Sequence, residues 1–264
     1  MKKLHLIKIG GNIIDSENEL DNFLNSFALI EGHKILVHGG GKLATELAGK
    51  LNIETKMVQG RRITDAETLK ITTMVYAGWI NKNIVAKLQA KKCNALGLSG
   101  ADGKCILAEK RKVKDIDYGF AGDILPDGVD TSFIQNVLEF GATPVFSPIT
   151  SDVNGQLLNT NADTIASTLA GALSEFYNVH LVYCFEKKGV LFDKNDNNSV
   201  IEKIDGVNYG ELKTKGIIAD GMIPKLDNAF KAKDEGVSSV IIGHAGNLTN
   251  IIKKEKYAGT LIEN

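Results

Sequence analysis

A lysine stands inside the first apolar run of the chain, in the stretch HLIKIGG, and two glycines follow it closely. A buried ammonium group is costly unless it reaches an anion or the water at a strand end. Gly10 and Gly11 leave room beside Lys8 where a phosphate group would need it. The pattern indicates a phosphate site, and a lysine that reaches solvent from the strand end is the alternative.

Two further strand ends are rich in glycine, HGGGK at 38–42 and GLSGADG at 97–103. Glycine is the default at any sharp turn, but several such turns at one edge of a sheet favour backbone amides that meet an anion. HGGGK is not a P-loop, because Leu43 follows Lys42 where that motif needs Ser or Thr. A loose match of GGGKLA to a dinucleotide fingerprint leaves an oxidoreductase as the weakest alternative.

Basic side chains outside the glycine turns are further candidates for binding an anion. Lys225, in ADGMIPK, stands just inside a helix that begins at a proline, where a solvated surface charge is the simpler interpretation. The stretch GRRIT places Arg61 and Arg62 on a predicted hairpin. A guanidinium can bind a carboxylate with two parallel hydrogen bonds. Solvated charge is the alternative, more for Arg61 than for Arg62.

The stretch LNTNADT carries Asn159, Asn161 and Asp163 at a predicted junction between a strand and a helix. One polar residue is enough to cap a helix. Three in succession favour a ligand site at the junction.

Apolar strands alternate with helical segments along most of the chain, which predicts an α/β fold with a mostly parallel sheet and helices on both faces. We expect a hairpin at 54–64, a helix over 66–92 and a small antiparallel patch over 104–126. No linker-like stretch separates two domains, so one domain with two lobes is expected. Ligands in such sheets bind beyond the carboxyl ends of the strands, where the glycines stand.

Composition excludes several classes of function. The 264 residues are 43% hydrophobic and 24% charged, with a formal net charge of −1, so the chain has no basic excess that would support binding to nucleic acid or membranes. The three cysteines form no CxxC pair, so reduced thiols are expected and no metal site. No apolar stretch approaches the ~20 residues of a membrane helix. A cytoplasmic protein is expected.

The motifs, taken in order along the chain, resemble the amino acid kinase family, and within it the acylglutamate branch. The resemblance rests on KIGG, VHGGGK, GRRIT, GATPVFSPI, NTNADT, GIIADGMIPK and the closing GT. It implies a three-layer α/β/α sandwich, with an N-lobe (about 1–176) for the acylated glutamate and for dimerisation. A C-lobe (about 177–264) would bind ATP, with Mg²⁺ carried on the nucleotide. The implied reaction is phosphorylation of the γ-carboxylate of an N-acylated L-glutamate, such as N-acetyl-L-glutamate, in arginine synthesis.

The resemblance also implies roles for individual residues. Lys8 and Lys225 would hold the transferring phosphoryl group, and Asp163 would hold both lysines. The residues implied in binding acylated glutamate are Gly40 and Gly41 near the γ-carboxylate, Arg62 and Asn159 at the α-carboxylate and amide, and Asn161. The residues implied in binding the nucleotide are Gly10, Gly11, Glu186, Gly189, Ile217, Ile218 and Ala219.

The nucleotide side departs from the family pattern. In CFEKKGV, Phe185 replaces a hydroxyl residue, Glu186 an aspartate and Lys187 an apolar residue, and Ala219 stands where threonine is common. The chain begins at its first strand, without the extra helix of arginine-inhibited members, which implies an unregulated homodimer. The alternatives are kinases of N-succinylglutamate or another acidic amino acid, and an inactive sensor of amino acids or nucleotides. Retention of Lys8, Lys225 and Asp163 argues against the sensor.

Overall fold

The computed structural model describes residues 1–58, 60–219, 221–253 and 259–263. Strands and helices alternate as the sequence predicts. The strands are β1 (Lys3–Ile9), β2 (His33–His38), β3 (Met57–Val58), β4 (Arg61–Arg62), β5 (Ala95–Leu98), β6 (Ile106–Lys110), β7 (Ala121–Val129), β8 (Thr143–Phe146), β9 (Ile149–Ser151), β10 (Leu157–Thr160), β11 (Asn178–Phe185), β12 (Lys203–Ile204), β13 (Ser239–His244) and β14 (Thr260–Ile262).

The helices lie between these strands. They are α1 (Gly11–Asp15), α2 (Glu17–Ala28), α3 (Gly41–Lys50), α4 (Ala66–Thr73), a π-helical segment (Met74–Ile80), α5 (Asn81–Ala90), a 3-10 turn (Asp102–Lys104), α6 (Thr131–Glu139), α7 (Ala162–Leu173), α8 (Gly206–Thr214), α9 (Met222–Asp234), a second 3-10 turn (Ala245–Asn247) and α10 (Leu248–Ile252). The helix predicted over 66–92 is therefore one helical stretch with a π-helical centre.

Contacts divide the chain into two compact units. The first unit comprises Met1–Lys34 and Ala166–Asn264, and the second comprises Ile35–Ile165. The predicted lobes, divided near residue 176, stay a prediction, because functional lobes need not follow contact density.

In the first unit the strands are ordered β12-β14-β13-β11-β1, and all neighbours are parallel except β13 and β14. Every residue of β1 after Lys3 is buried, which explains why this strand reads as a nearly continuous apolar run. Ser16 accepts a hydrogen bond from the Glu19 amide and caps α2.

In the second unit β2, β8 and β5 form a parallel sheet. The hairpin of β3 and β4 is confirmed, with Met57 opposite Arg62. The antiparallel patch is confirmed in β6 and β7, which also join β9 and β10 in a small closed barrel. Parallel pairing of β10 with β7 brings the NTNADT junction beside Ala121 and Gly122.

Candidate functional site

The second glycine turn requires glycine for steric reasons. Gly40 caps α3 with φ +151° and ψ 19°, a conformation that L side chains rarely adopt. A Cβ atom there would lie 2.2 Å from the Ile80 side chain. No side-chain hydrogen bond caps α3 at Gly40, so the amides of its first turn are left for water or a ligand.

Arg62 lies against this turn. Its Nη2 donates hydrogen bonds to the Gly41 carbonyl at 2.8 Å and to Thr45 Oγ1 at 2.7 Å. The side chain is only 8% exposed, and Nη1 is buried with no hydrogen-bond partner of ordinary geometry in the described part of the chain. A buried guanidinium nitrogen without a partner is costly, which indicates that a ligand completes the site.

The NTNADT junction joins the same hairpin. Asn159 donates from Nδ2 to Thr64 Oγ1 at 3.0 Å, and Thr64 Oγ1 donates to the Arg62 carbonyl at 3.1 Å. Asn161 accepts a hydrogen bond from the Thr164 amide at 3.0 Å, so it caps α7. Asp163 lies in the first turn of α7. Asn161 is therefore the residue of this motif that caps the helix.

These residues line one cavity of about 180 Å³ within the second unit. All five residues implied in substrate binding line it, and so does Arg61. Its lining contains two arginines and no acidic side chain, which suits a small anionic ligand. Tyr76 also lines it and was not found from sequence. The five residues implied in substrate binding are Gly40, Gly41, Arg62, Asn159 and Asn161.

Lys8 lies on β1 opposite Tyr183 of β11 and is only 7% exposed. The Gly10 amide donates to the Cys184 carbonyl at 3.2 Å, which holds the following turn against the end of β11. A Cβ atom on Gly10 or Gly11 would meet its nearest neighbour at 3.8 or 3.9 Å, an ordinary contact. A small side chain at either position would therefore make only ordinary contacts, so internal packing does not require these two glycines.

Lys225 lies in the first turn of α9, with Nζ 5.3 Å from the centroid of the Tyr183 ring and 5.9 Å from that of Phe185. Burial raises the pKa of the Cys184 thiol to about 12, and the charges of Lys225 and Lys8 both oppose this rise. Both ammonium groups therefore act on one point at the end of β11. Lys8 and Lys225 thus both lie near Tyr183, Lys8 as its partner in the strand register and Lys225 by its contact with the ring.

A larger cavity of about 620 Å³ lies in the first unit beyond the end of β11. Gly189, Ile217 and Ala219 line it, and so do Phe185 and Lys187 from the unusual CFEKKG stretch. Four other residues implied in nucleotide binding do not line this cavity, and one of them, Glu186, is exposed to solvent. Those four are Gly10, Gly11, Ile218 and Glu186.

The closing GT motif supports this cavity. Thr260 Oγ1 accepts a hydrogen bond from the Val190 amide at 2.8 Å and donates to the Ile201 carbonyl at 2.7 Å. A Cβ atom on Gly189 would lie 2.7 Å from Thr260 Oγ1, so the close approach requires glycine. Asp220, in the motif GIIADGMIPK, lies outside the described residues.

The sequence profile of the amino acid kinase family matches residues 3–244. The chain belongs to the amino acid kinase family. The predicted family and its α/β fold class are therefore confirmed, and family membership implies a kinase that uses ATP.

Curated relatives in this family are similar over nearly the whole chain. An acetylglutamate kinase of Cytophaga hutchinsonii is 57% identical over 261 residues, which are 98% of each chain. An acetylglutamate kinase of Bacteroides fragilis is 55% identical over 241 residues, covering 91% of this chain and 92% of the relative.

Solved structures agree on the fold. The structure of smu.665 from Streptococcus mutans has a TM-score of 0.78 at 26% identity and covers 99% of both chains. Carbamate kinase from Giardia lamblia bound to AMP-PNP has a TM-score of 0.71 at 14% identity, covering 99% of this chain and 98% of that one.

Proposed function

We propose that the protein transfers the γ-phosphoryl group of ATP to the γ-carboxylate of N-acetyl-L-glutamate. The products are N-acetyl-L-glutamyl 5-phosphate and ADP, and the step is the second of arginine biosynthesis. The observation that carries this proposal is the buried Arg62, whose Nη1 has no hydrogen-bond partner of ordinary geometry among the described residues, in a cavity lined by two arginines and no acid. Similarity to relatives named acetylglutamate kinase supports the choice of acyl amino acid.

The reaction needs no general base, because the attacking carboxylate is already ionised at pH 7. Phosphoryl transfer is catalysed mainly by positioning and by neutralising charge on the transferred group. Lys8 and Lys225 supply two positive charges at the end of β11, and we assign both to the transferring phosphoryl group. Gly10 and Gly11 leave room for the phosphates, since neither glycine is needed internally.

The remaining roles divide between the two cavities. In the second unit Arg62 binds the α-carboxylate of the substrate, while Gly40 and Gly41 present amides to the γ-carboxylate. Asn159 and Asn161 also line that cavity, and we assign both to the substrate. For Asp163 we keep the role that the family resemblance implies.

In the first unit we assign the nucleoside to the larger cavity, which Gly189, Ile217 and Ala219 line. Ile218 is buried and Glu186 is exposed, and neither residue lines that cavity.

Magnesium is proposed to arrive on ATP. In the described residues no group of three or more His, Cys, Asp or Glu side chains is placed to hold a metal ion. Lysine ammonium groups and glycine amides fit phosphate oxygens and do not fit a cation. The residues present therefore match the nucleotide, and the phosphates would hold its ion.

The quaternary state and location stay predictions. No helix in the described part of the chain has the length and apolar character needed to span a membrane. A cytoplasmic homodimer without arginine control is expected, and light scattering of the purified protein tests the dimer. Hexamers, or inhibition by arginine, would overturn this expectation.

The test of function is a coupled assay of ADP release with Mg-ATP and three acceptors: N-acetyl-L-glutamate, N-succinyl-L-glutamate and free L-glutamate. The succinyl arm is included because Arg61 offers a second guanidinium in the cavity lining. Hydroxylamine traps the acyl phosphate as a hydroxamate. Turnover of N-acetyl-L-glutamate that Lys8→Ala abolishes is the expected result. A folded protein that binds ATP and turns over none of the three contradicts the proposal.

A further inference from the structure

Tyr76 reaches the substrate cavity from an unusual segment of backbone. It lies on the π-helical segment Met74–Ile80, between α4 and α5. π-helical turns are rare and occur frequently at functional sites, because the wider turn redirects the side chains it carries. Tyr76 is only 5% exposed, yet it lines the cavity of about 180 Å³. The segment thus places one aromatic side chain in the wall of the substrate site.

The Tyr76 ring is held against the glycine turn. A Cβ atom built on Gly40 would lie 3.1 Å from Cδ1 of Tyr76 and 3.3 Å from its Cε1. Ile80, one π-helical turn further on, fills the rest of that space. Close packing on both sides fixes the direction of the ring and so the position of its hydroxyl group.

The hydroxyl group lies beside the guanidinium of Arg62. Burial raises the pKa of Tyr76, while the charge of Arg62 and a hydrogen bond with it oppose that rise. The phenol is therefore protonated at neutral pH. A guanidinium has donors only, so the phenol oxygen is the acceptor in this pair. The phenol proton is therefore left to donate to another acceptor.

The guanidinium of Arg62 and the ring of Tyr76 therefore lie together in the lining of the same small cavity. A carboxylate has two oxygens and can accept several hydrogen bonds. Hydrogen bonds in which the donor or the acceptor is charged are stronger than those between neutral groups. We propose that Tyr76 is a substrate-binding residue, whose hydroxyl donates to the substrate carboxylate that Arg62 binds. This inference rests on the proposed function, because it assigns a further contact to the same substrate.

The test is Tyr76→Phe, which removes the hydroxyl and keeps the ring that packs on Gly40. Loss of one hydrogen bond to a charged group predicts that KM for N-acetyl-L-glutamate rises about tenfold. The KM for ATP and kcat should stay within about twofold of wild type, because the lost hydrogen bond goes to the substrate carboxylate that Arg62 binds. Tyr209→Phe is the matched control, because it removes a phenol hydroxyl bonded to Asp227 outside both cavities.

A substrate analogue separates binding from a structural role. N-acetyl-4-aminobutyrate keeps the γ-carboxylate and lacks the α-carboxylate that Arg62 is assigned to bind. Its inhibition constant against N-acetyl-L-glutamate should be equal for wild type and Tyr76→Phe, since the contact that the variant loses is absent from the analogue. An equal loss for analogue and substrate would make Tyr76 structural and overturn the inference.

An unchanged KM in Tyr76→Phe would overturn it as well. Circular dichroism of the variant, with its melting temperature, confirms that the ring still packs. Wild-type protein without turnover would instead count against the proposed function, so the two failures are distinguishable.

Discussion

The ammonium group of Lys225 lies 5.3 Å from the centre of the Tyr183 ring and 5.9 Å from that of Phe185. Both rings belong to β11, whose residue Tyr183 is also opposite Lys8 in the parallel register with β1. A cation above an aromatic face is attracted by the ring quadrupole. The aromatic residues at the end of β11 therefore help to hold the position of a lysine that we assign to phosphoryl transfer.

Phe185→Leu should lower kcat about fivefold, because it removes one cation–π contact worth about 1 kcal/mol and keeps apolar volume. The KM for N-acetyl-L-glutamate should stay unchanged. Phe185→Tyr retains the aromatic face and should restore kcat. Phe176→Leu, at a half-exposed surface phenylalanine, is the control. A Phe185→Leu enzyme with wild-type kcat would show that the ring contributes nothing to Lys225.

Arg62→Lys should raise KM for N-acetyl-L-glutamate about thirtyfold, or about 2 kcal/mol. A lysine cannot hold Gly41 and Thr45 with one nitrogen and offer a second to the substrate, as the guanidinium does. Arg61→Lys on the same hairpin is the matched control, for which we expect a change below about threefold. Steady-state kinetics decide between them, and equal effects of the two variants would count against the assignment of Arg62.

Gly40→Ala should destabilise the protein by about 2–4 kcal/mol, because the new Cβ meets Ile80 and the φ of +151° is strained for alanine. Gly49 is the control in the same helix, since it is exposed and nothing lies within 4 Å of its Cβ position. Gly49→Ala should stabilise by about 0.5–1 kcal/mol. Urea unfolding measures both, and a neutral Gly40→Ala would contradict the described turn.

The free energy of unfolding should fall steeply above pH 9. Burial raises the pKa of the Cys105 thiol to about 12 in the folded protein, against an ordinary value near 9. Between these two values the unfolded thiol loses its proton and the folded one keeps it. The stability that this thiol contributes is full below pH 9 and is lost at about 1.4 kcal/mol per pH unit above it. Cys105→Ala should show a slope shallower by that amount, and an identical slope would refute the prediction.

The fold was largely predictable because its strands carry local signals. The apolar run of β1, the hairpin at GRRIT and the NTNADT junction were all found from residue type and spacing. Helix α8 was missed because none of its residues is buried, so no apolar stripe marks it. Its capping box of Asp205 and Asn208 was the signal available.

The cavity was only partly predictable. Arg62 and Gly41 are 21 residues apart, and their hydrogen bond follows from the packing of the hairpin on α3, which no local pattern encodes. Tyr76 was missed because the π-helical segment is only seven residues long and continues two α-helices, so no distinct hydrophobic period marks it. The mixed three- and four-residue spacing over 66–92 was its trace in the sequence, and it was interpreted as an ordinary helix.

The contact between Gly40 and Ile80 has a consequence for anyone who wishes to broaden the acceptor range of this protein. The space that a side chain at position 40 would occupy is already taken by the Ile80 methyl group, so the two positions can be varied only as a pair. A mutant library aimed at bulkier acceptors should randomise residues 40, 76 and 80 together and leave both arginines untouched. Libraries that sample these positions one at a time would discard every combination in which a loss at one is compensated at another.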